Sequence, residues 1–276
     1  MIFWLGQWAR RAAQRFGTLD GRCCVCGELR PVPSETPPAL PGLDWRAILA
    51  RHLCSECIEH LAPRRGGYCP KCGAMFILES MEVHLCADCL MPGSPRSASP
   101  PWERLIFYGP YQGELRRLLL HYKFNGGLGL SAFLEELAWL AYALRTREQP
   151  APQIDTRPEL IVPIPLHRRR LAHRGYNQSL ELARTLAKRT SIPLAAKAMQ
   201  RTRHTRPQFE LTRSERAANI QNALYADPKL VAGKRLLLVD DIMTSGATLR
   251  EATRSLLAAG SVSVSVLILA RTASHV

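Results

Sequence analysis

No cysteine follows Cys89 in this chain of 276 residues. No apolar run approaches the roughly 18–20 residues that a membrane span needs, so no transmembrane segment is predicted. The N-terminal MIFWLGQWARRAAQRF lacks the order of a signal peptide. Its apolar stretch is short, Arg10 and Arg11 follow it instead of preceding it, and no cleavage signal comes next. Together these absences predict a cytoplasmic protein. No G-K-[ST] occurs, which excludes a Walker A loop. Acids are scarce: 23 Asp and Glu face 37 Lys and Arg, a net charge of +14. That balance points to anionic partners such as phosphates, nucleic acid or a membrane surface. A hydrophobic content of 46% supports a packed core and argues against global disorder.

All nine cysteines lie between Cys23 and Cys89, and eight of them form C-x-x-C pairs: Cys23/Cys26, Cys54/Cys57, Cys69/Cys72 and Cys86/Cys89. Cys24 is the odd one. A C-x-x-C turn points two thiolates at one metal ion, and two such turns complete a tetrahedron. Disulfides are the poorer reading for a cytoplasmic chain. Eight ligands suit two structural Zn²⁺ ions. Sequential pairing is the simplest arrangement, with Cys23, Cys26, Cys54 and Cys57 on one ion and Cys69, Cys72, Cys86 and Cys89 on the other. An interleaved cross-brace is the competitor. Either way four thiolates close each site, so the metal is structural and not catalytic. His84 is expected beside a site, not in it.

Residues 1–16 are expected to form a short amphipathic helix with Phe3, Trp4, Trp8 and Phe16 partly on one side, packing against the body of the protein. Residues 30–44 contain five prolines and read as an irregular excursion within the first metal unit. Residues 91–101, MPGSPRSASPP, are the clearest linker. The expected division is therefore an N-terminal helix and double zinc ribbon over 1–100 and a second domain over 101–276. In that second part, RLIFYGPY reads as a strand and turn, and GELRRLLLHYKF and residues 131–145 as helices. LIVPIP is a buried parallel-type strand, and QSLELARTLAKR is helical. KRLLLVD is a second buried strand, and TLREATRSLLAAG is a helix stopped by Gly260. SVSVSVLILA is a third strand, alternating in its first half and buried in its second. Strands separated by helices imply an α/β fold with an open, mainly parallel sheet, whose ligands sit beyond the carboxyl ends of the strands.

The most informative segment runs from Leu236 to Thr248, LLLVDDIMTSGAT. An apolar strand ends in Asp240 and Asp241, a loop of small residues follows, and a helix starts. Thr244, Ser245, Gly246, Ala247 and Thr248 supply backbone N–H groups, hydroxyls and a glycine that permits close approach, which suits a phosphate monoester at a helix N-terminus. Asp240 and Asp241 cannot donate to a phosphate. They suit the vicinal hydroxyls of a ribose, with Mg²⁺ nearby. The loop thus describes a ribose 5-phosphate site; the ordinary structural alternative is that Thr248 only caps a helix.

VDDIMTSGAT resembles the signature of type I phosphoribosyltransferases, which bind phosphoribosyl pyrophosphate (PRPP). VPIPLHRRRLAHRGYNQSLELA, TRPQFELTRSERAANIQNAL and the cysteine array resemble the competence-protein ComF family, which includes the GntX-type proteins. The resemblance covers Cys23 to Thr272. It implies a zinc-ribbon module ahead of a phosphoribosyltransferase-like domain, PRPP bound with Mg²⁺, and a role where single-stranded DNA enters the cytoplasm, with DNA-uptake proteins as partners. It also implies that Arg174, Gly175, Tyr176 and Asn177 form the pyrophosphate loop. Residues 201–224 are implied as the mobile loop over PRPP, with Gln208, Arg213, Arg216 and Asn219 matching the family's pattern.

Residues 160–220 hold 13 Lys and Arg against three acids, a net +10. Arg168, Arg169 and Arg170 are the nucleic-acid candidates among them. Lys123 either reaches the diphosphate or is solvated. No residue marks a catalytic base, and no aromatic base-binding hood is evident. Three readings follow. The first is a PRPP-binding protein that handles single-stranded DNA in natural transformation, with the basic 160–220 region and the zinc ribbons in contact with the DNA. The second is an active phosphoribosyltransferase of nucleotide metabolism. The third is a scaffold that senses PRPP without turning it over.

Overall fold

The computed structural model describes residues 21–29, 43–91, 99–124, 130–147, 157–203 and 213–273. The expected helix over 1–16, most of the 30–44 excursion and linker residues 92–98 lie outside them. Four strands make one parallel sheet: β1 (Leu105–Pro110), β2 (Leu160–Pro163), β5 (Arg235–Val239) and β7 (Ser263–Arg271), in the order β1-β7-β5-β2. Leu105 pairs with Val266, Leu236 with Val264, and Leu160 with Leu236. A two-residue strand, β6 (Ile242–Met243), continues β5 beyond the aspartates and pairs with Ala270 and Arg271.

Both faces of the sheet are covered, as a parallel sheet requires. Ile106, Tyr108, Ile161, Leu237, Val239, Leu267 and Leu269 face one layer. That layer includes the helices Gly113–Phe124, Ser131–Arg147 and Gln178–Thr190. The alternate residues Leu105, Phe107, Val162, Leu236, Leu238, Val266 and Ile268 face the other layer, which includes Leu249, Ala252 and Leu256 of the helix Ala247–Ala258. This alternation follows from the period of two along a strand. The first half of β7 differs from its expected half-exposed character: Ser263 and Ser265 are buried, because helices cover both of its sides.

Two features of the second half were not expected. RRRLAHR, which has no helical pattern in the sequence, forms a short helix, Arg168–Arg174; the N–H of Arg169 is taken by the His167 side chain at 3.3 Å. The 201–224 stretch is also more regular at its ends than a loop. β3 (Met199–Arg201) and β4 (Leu224–Ala226) pair antiparallel, and Arg213–Ile220 is helical. Burial of Met199, Leu224, Ala226 and Ile220 holds these short pieces in place.

The N-terminal cysteine region shares both cores. Trp45, Ile48, Leu49, Leu53, Ile58 and Leu61 join the first layer, and Tyr68 and Met75 join the second. The Tyr108 hydroxyl donates to the Leu61 carbonyl, and the N–H of Arg64 donates to the Tyr108 carbonyl at 2.9 Å. Among the described residues, no helix is long and apolar enough to cross a membrane.

Candidate functional site

The eight paired cysteines converge into two groups in sequential order. One holds Cys23, Cys26, Cys54 and Cys57, the other Cys69, Cys72, Cys86 and Cys89, with the ligand atoms of each within 4.8 Å of one another. The cross-brace is not what the chain adopts. The two groups are built alike. The first pair of each sits on a turn closed by a glycine, Gly27 (φ 81°) or Gly73 (φ 71°), a backbone region that favours glycine. The second pair of each opens a helix, Ser55–His60 or Ala87–Leu90, which puts both thiols on one side. Sulfur separations of 3.7 Å (Cys26–Cys54) and 3.6 Å (Cys72–Cys86) match the edge of a tetrahedron with metal–sulfur bonds of about 2.3 Å. Hydrogen bonding from the Cys72 thiol, with backbone N–H groups of Lys71, Cys72 and Cys86, pushes the Cys69 thiol down. His84 stacks on Phe76 at 4.3 Å and belongs to neither group.

At the carboxyl end of the sheet, Asp240 and Asp241 close β5. The buried Asp241 accepts an ion pair from Lys123 Nζ at 3.0 Å. Lys123 is therefore not simply solvated; the last turn of its helix holds it at the aspartates. Asp240 Oδ1 accepts from the Ser179 hydroxyl at 2.8 Å and from the N–H of Asp241 at 2.9 Å. Burial, with the neighbouring Asp241 charge, pushes the Asp240 carboxyl up to about 6.

The loop then turns through Thr244 and Ser245 to Gly246, which has φ 75° and caps the helix Ala247–Ala258. The N–H of Ala247 meets the Ser245 hydroxyl at 3.4 Å. The first N–H groups of that helix, from Ala247 and Thr248 onward, have no carbonyl partner one turn back within it, and they sit at its positive end. A methyl at Gly246 would lie 3.2 Å from Met243 Sδ, so the position is sterically tight as well as left-handed.

The segment read as a pyrophosphate loop links the short helix to the longer one. Arg174 ends the first helix, and its guanidinium donates to Gln178 Oε1 at 2.9 Å. Gly175 is left-handed at φ 82°. Asn177 precedes the second helix but does not cap it; its Nδ2 donates instead to the Ile164 carbonyl at 3.0 Å, tying the loop to the end of β2. The Tyr176 hydroxyl donates to the Tyr122 carbonyl, with the two rings 5.4 Å apart, one residue before Lys123. Two segments far apart in sequence are thereby brought to the aspartates. Ser179 and Lys123 as partners of the two carboxylates were missed by sequence reasoning. Ser179 offered one signal, a hydroxyl in the first turn of a helix facing a strand end.

Arg168 and Arg169 are exposed on the short helix and Arg170 is half-buried. Arg201 on β3 lies within electrostatic reach of Arg170, Arg203 and Asp240, and burial pulls its guanidinium down to about 10. Of the expected mobile-loop residues, Gln208 lies outside the described residues. Arg213 and Arg216 lie in the helix that follows. The Asn219 carbonyl accepts from Arg203 at 3.1 Å.

The model of the phosphoribosyl transferase domain family matches residues 177–275. The DNA utilization protein YhgH of Escherichia coli K12 is 32% identical over 239 residues, covering 84% of this chain and 98% of that protein. Competence protein F of Haemophilus influenzae is 31% identical over 228 residues, covering 81% and 92%. Competence protein ComFC of Bacillus subtilis is 27% identical over 222 residues, covering 78% and 84%.

Proposed function

The chain belongs to the family of the DNA utilization and competence F proteins, and from that premise we propose that it binds PRPP with Mg²⁺ and handles single-stranded DNA during uptake in the cytoplasm. One observation carries the PRPP reading: a buried strand delivers two adjacent carboxylates to the start of a glycine-opened helix. Asp240 and Asp241 would accept hydrogen bonds from the ribose hydroxyls and offer hard oxygen ligands to Mg²⁺. Residues Thr244 to Thr248 would bind the 5-phosphate through N–H groups and hydroxyls. Arg174, Gly175, Tyr176 and Asn177, with the first turn of the helix they open, would face the diphosphate. Gln208, Arg213, Arg216 and Asn219 would close over it. Mg²⁺ would supply charge for the diphosphate oxygens; the protein's own groups orient the sugar and hold it.

The two cysteine groups fit Zn²⁺, with four thiols at tetrahedral spacing and no open position, so their part is structural. We assign DNA contact to Arg168, Arg169 and Arg170 and not to the second ribbon. Glu79, Glu82 and Asp88 are exposed on that ribbon, and no Lys or Arg occurs from Cys72 to Pro95. A phosphate backbone would be repelled there.

Titration calorimetry with PRPP and Mg²⁺ tests the core of this reading. Wild type should bind, and Asp240→Asn and Asp241→Asn should each weaken binding at least tenfold while remaining folded. Unchanged affinity in both folded variants would refute the site. Release of pyrophosphate on adding a nucleobase would favour the transferase reading over a binding role.

A further inference from the structure

The second cysteine group and the 244–248 loop are joined by a short chain of contacts. Three consecutive carbonyls of the Cys69–Cys72 turn accept hydrogen bonds from outside the cysteine region. The Pro70 carbonyl accepts from the N–H of Leu105 at 2.8 Å, Lys71 from the indole N–H of Trp102 at 2.6 Å, and Cys72 from Arg271 Nε at 3.3 Å. The turn is pressed close, since a methyl at Gly73 would come within 2.6 Å of Leu105 Cδ2. Two of these three donors also touch the anion loop. The same Arg271 guanidinium donates through Nη1 to the Thr244 carbonyl at 3.0 Å. The buried Trp102 ring packs against Gly246, its Cη2 3.7 Å from where a methyl there would lie, and Arg250 of the following helix covers it at 5.6 Å.

A C-x-x-C turn keeps its shape because a metal holds its two thiolates; without metal the four clustered thiols have no such constraint. Metal on the four thiolates would therefore tighten the conformation that presents those three carbonyls, beyond the support the turn's own bond from the Gly73 N–H to the Cys69 carbonyl at 2.8 Å already gives. We propose that Arg271 and Trp102 are positioning residues through which metal in the Cys69/Cys72/Cys86/Cys89 group sets the affinity of the 244–248 loop for its phosphate ligand. The Cys23/Cys26/Cys54/Cys57 group packs into the other layer, against the helices around Leu119 and Leu134, and has no such link among the described residues. This inference rests on reading 244–248 as the phosphate loop.

The coupling is reciprocal by thermodynamic necessity, because each ligand shifts the other's affinity by the same factor. Metal retained against a chelator at equilibrium is measured with and without PRPP, alongside calorimetric PRPP affinity. PRPP should protect one of two metals in wild type. Arg271→Gln should keep both metals in the absence of chelator, bind PRPP about tenfold more weakly, and lose the protection. Arg271→Lys should resemble Arg271→Gln, because an ammonium cannot bridge Cys72 and Thr244 in the same fork; rescue by Lys would mean that charge alone acts and would overturn the proposal. PRPP affinity within twofold of wild type in Arg271→Gln, with Asp241→Asn impaired, also overturns it and leaves the site reading intact. Absence of PRPP binding by wild type defeats the site reading and this inference together.

Discussion

Lys123→Met removes the cation facing Asp241 while keeping the length of the aliphatic stem. The Nζ–Oδ2 separation is 3.0 Å, and the side chains are 23% and 9% exposed. Breaking a buried pair from one side costs about 3–5 kcal/mol, mostly because the remaining charge stays desolvated. A quarter-exposed lysine admits water that screens the pair, which brings the expected loss below that range, to about 2–3 kcal/mol. For a protein of this size that corresponds to a fall in Tm of roughly 4–12 °C. Asp240 should respond too, since Lys123 helps to hold its carboxyl down; without it the carboxyl moves above about 6. Urea unfolding of wild type, Lys123→Met, Asp241→Asn and the double variant closes a thermodynamic cycle. The double variant should lose less than the two single losses combined, by at least about 1.5 kcal/mol, because an uncharged pair leaves no orphaned ion. Strict additivity, or a Lys123→Met loss below about 0.5 kcal/mol, would show that the pair is not what holds the aspartates in place.

Metal analysis of freshly prepared protein should return two Zn²⁺ per chain, and Cys69→Ser should lower this to one and destabilise the fold, while Cys24→Ser should retain both. One ion or none in wild type contradicts the two-site assignment. PRPP affinity should rise as pH increases from 5 to 7, because ligand binding uses the ionised Asp240, whose carboxyl is pushed up from 3.8 to about 6. Stability should fall as pH rises from 3.8 to about 6, because between those two values the folded chain holds a proton that the unfolded chain has released, so raising pH favours unfolding. Asp240→Asn should flatten both profiles; a flat wild-type profile contradicts the raised carboxyl. Single-stranded oligonucleotide binding should weaken steeply with salt, with a log–log slope of about −0.7 per phosphate contacted. Replacing Arg168, Arg169 and Arg170 by Ala should reduce that slope by roughly two; equal binding by wild type and variant at low salt would remove DNA contact from this helix.

The parts of the fold readable in sequence are those whose physics is local. Leu236–Val239 is an unbroken apolar run ending in two acids, and it is the buried β5. The C-x-x-C spacing needs only the geometry of a turn, and the four pairs converge as their order suggests. Local patterns did not reveal structure held by distant partners. RRRLAHR has little apolar periodicity, yet it is helical between a His167 cap and left-handed Gly175. β3 and β4 are three residues each and are defined by pairing with one another. In the site, the acids were legible because a strand end that should be apolar is charged. Their partners were not, because Lys123 and Ser179 reach them only through tertiary packing.

The placement of β7 has a kinetic consequence. It is the last strand in the chain, yet it lies between β1 and β5 at the middle of the sheet. β1 must wait for a partner about 160 residues downstream, and loops of that length close slowly. At about 5–20 residues per second, ribosomal synthesis leaves the hydrogen-bonding edge of β1 unpaired for on the order of ten seconds. The cysteine region emerges first and packs Tyr68 against Phe107 at 5.1 Å. That contact covers one face of β1 while its edge still waits for the central strand.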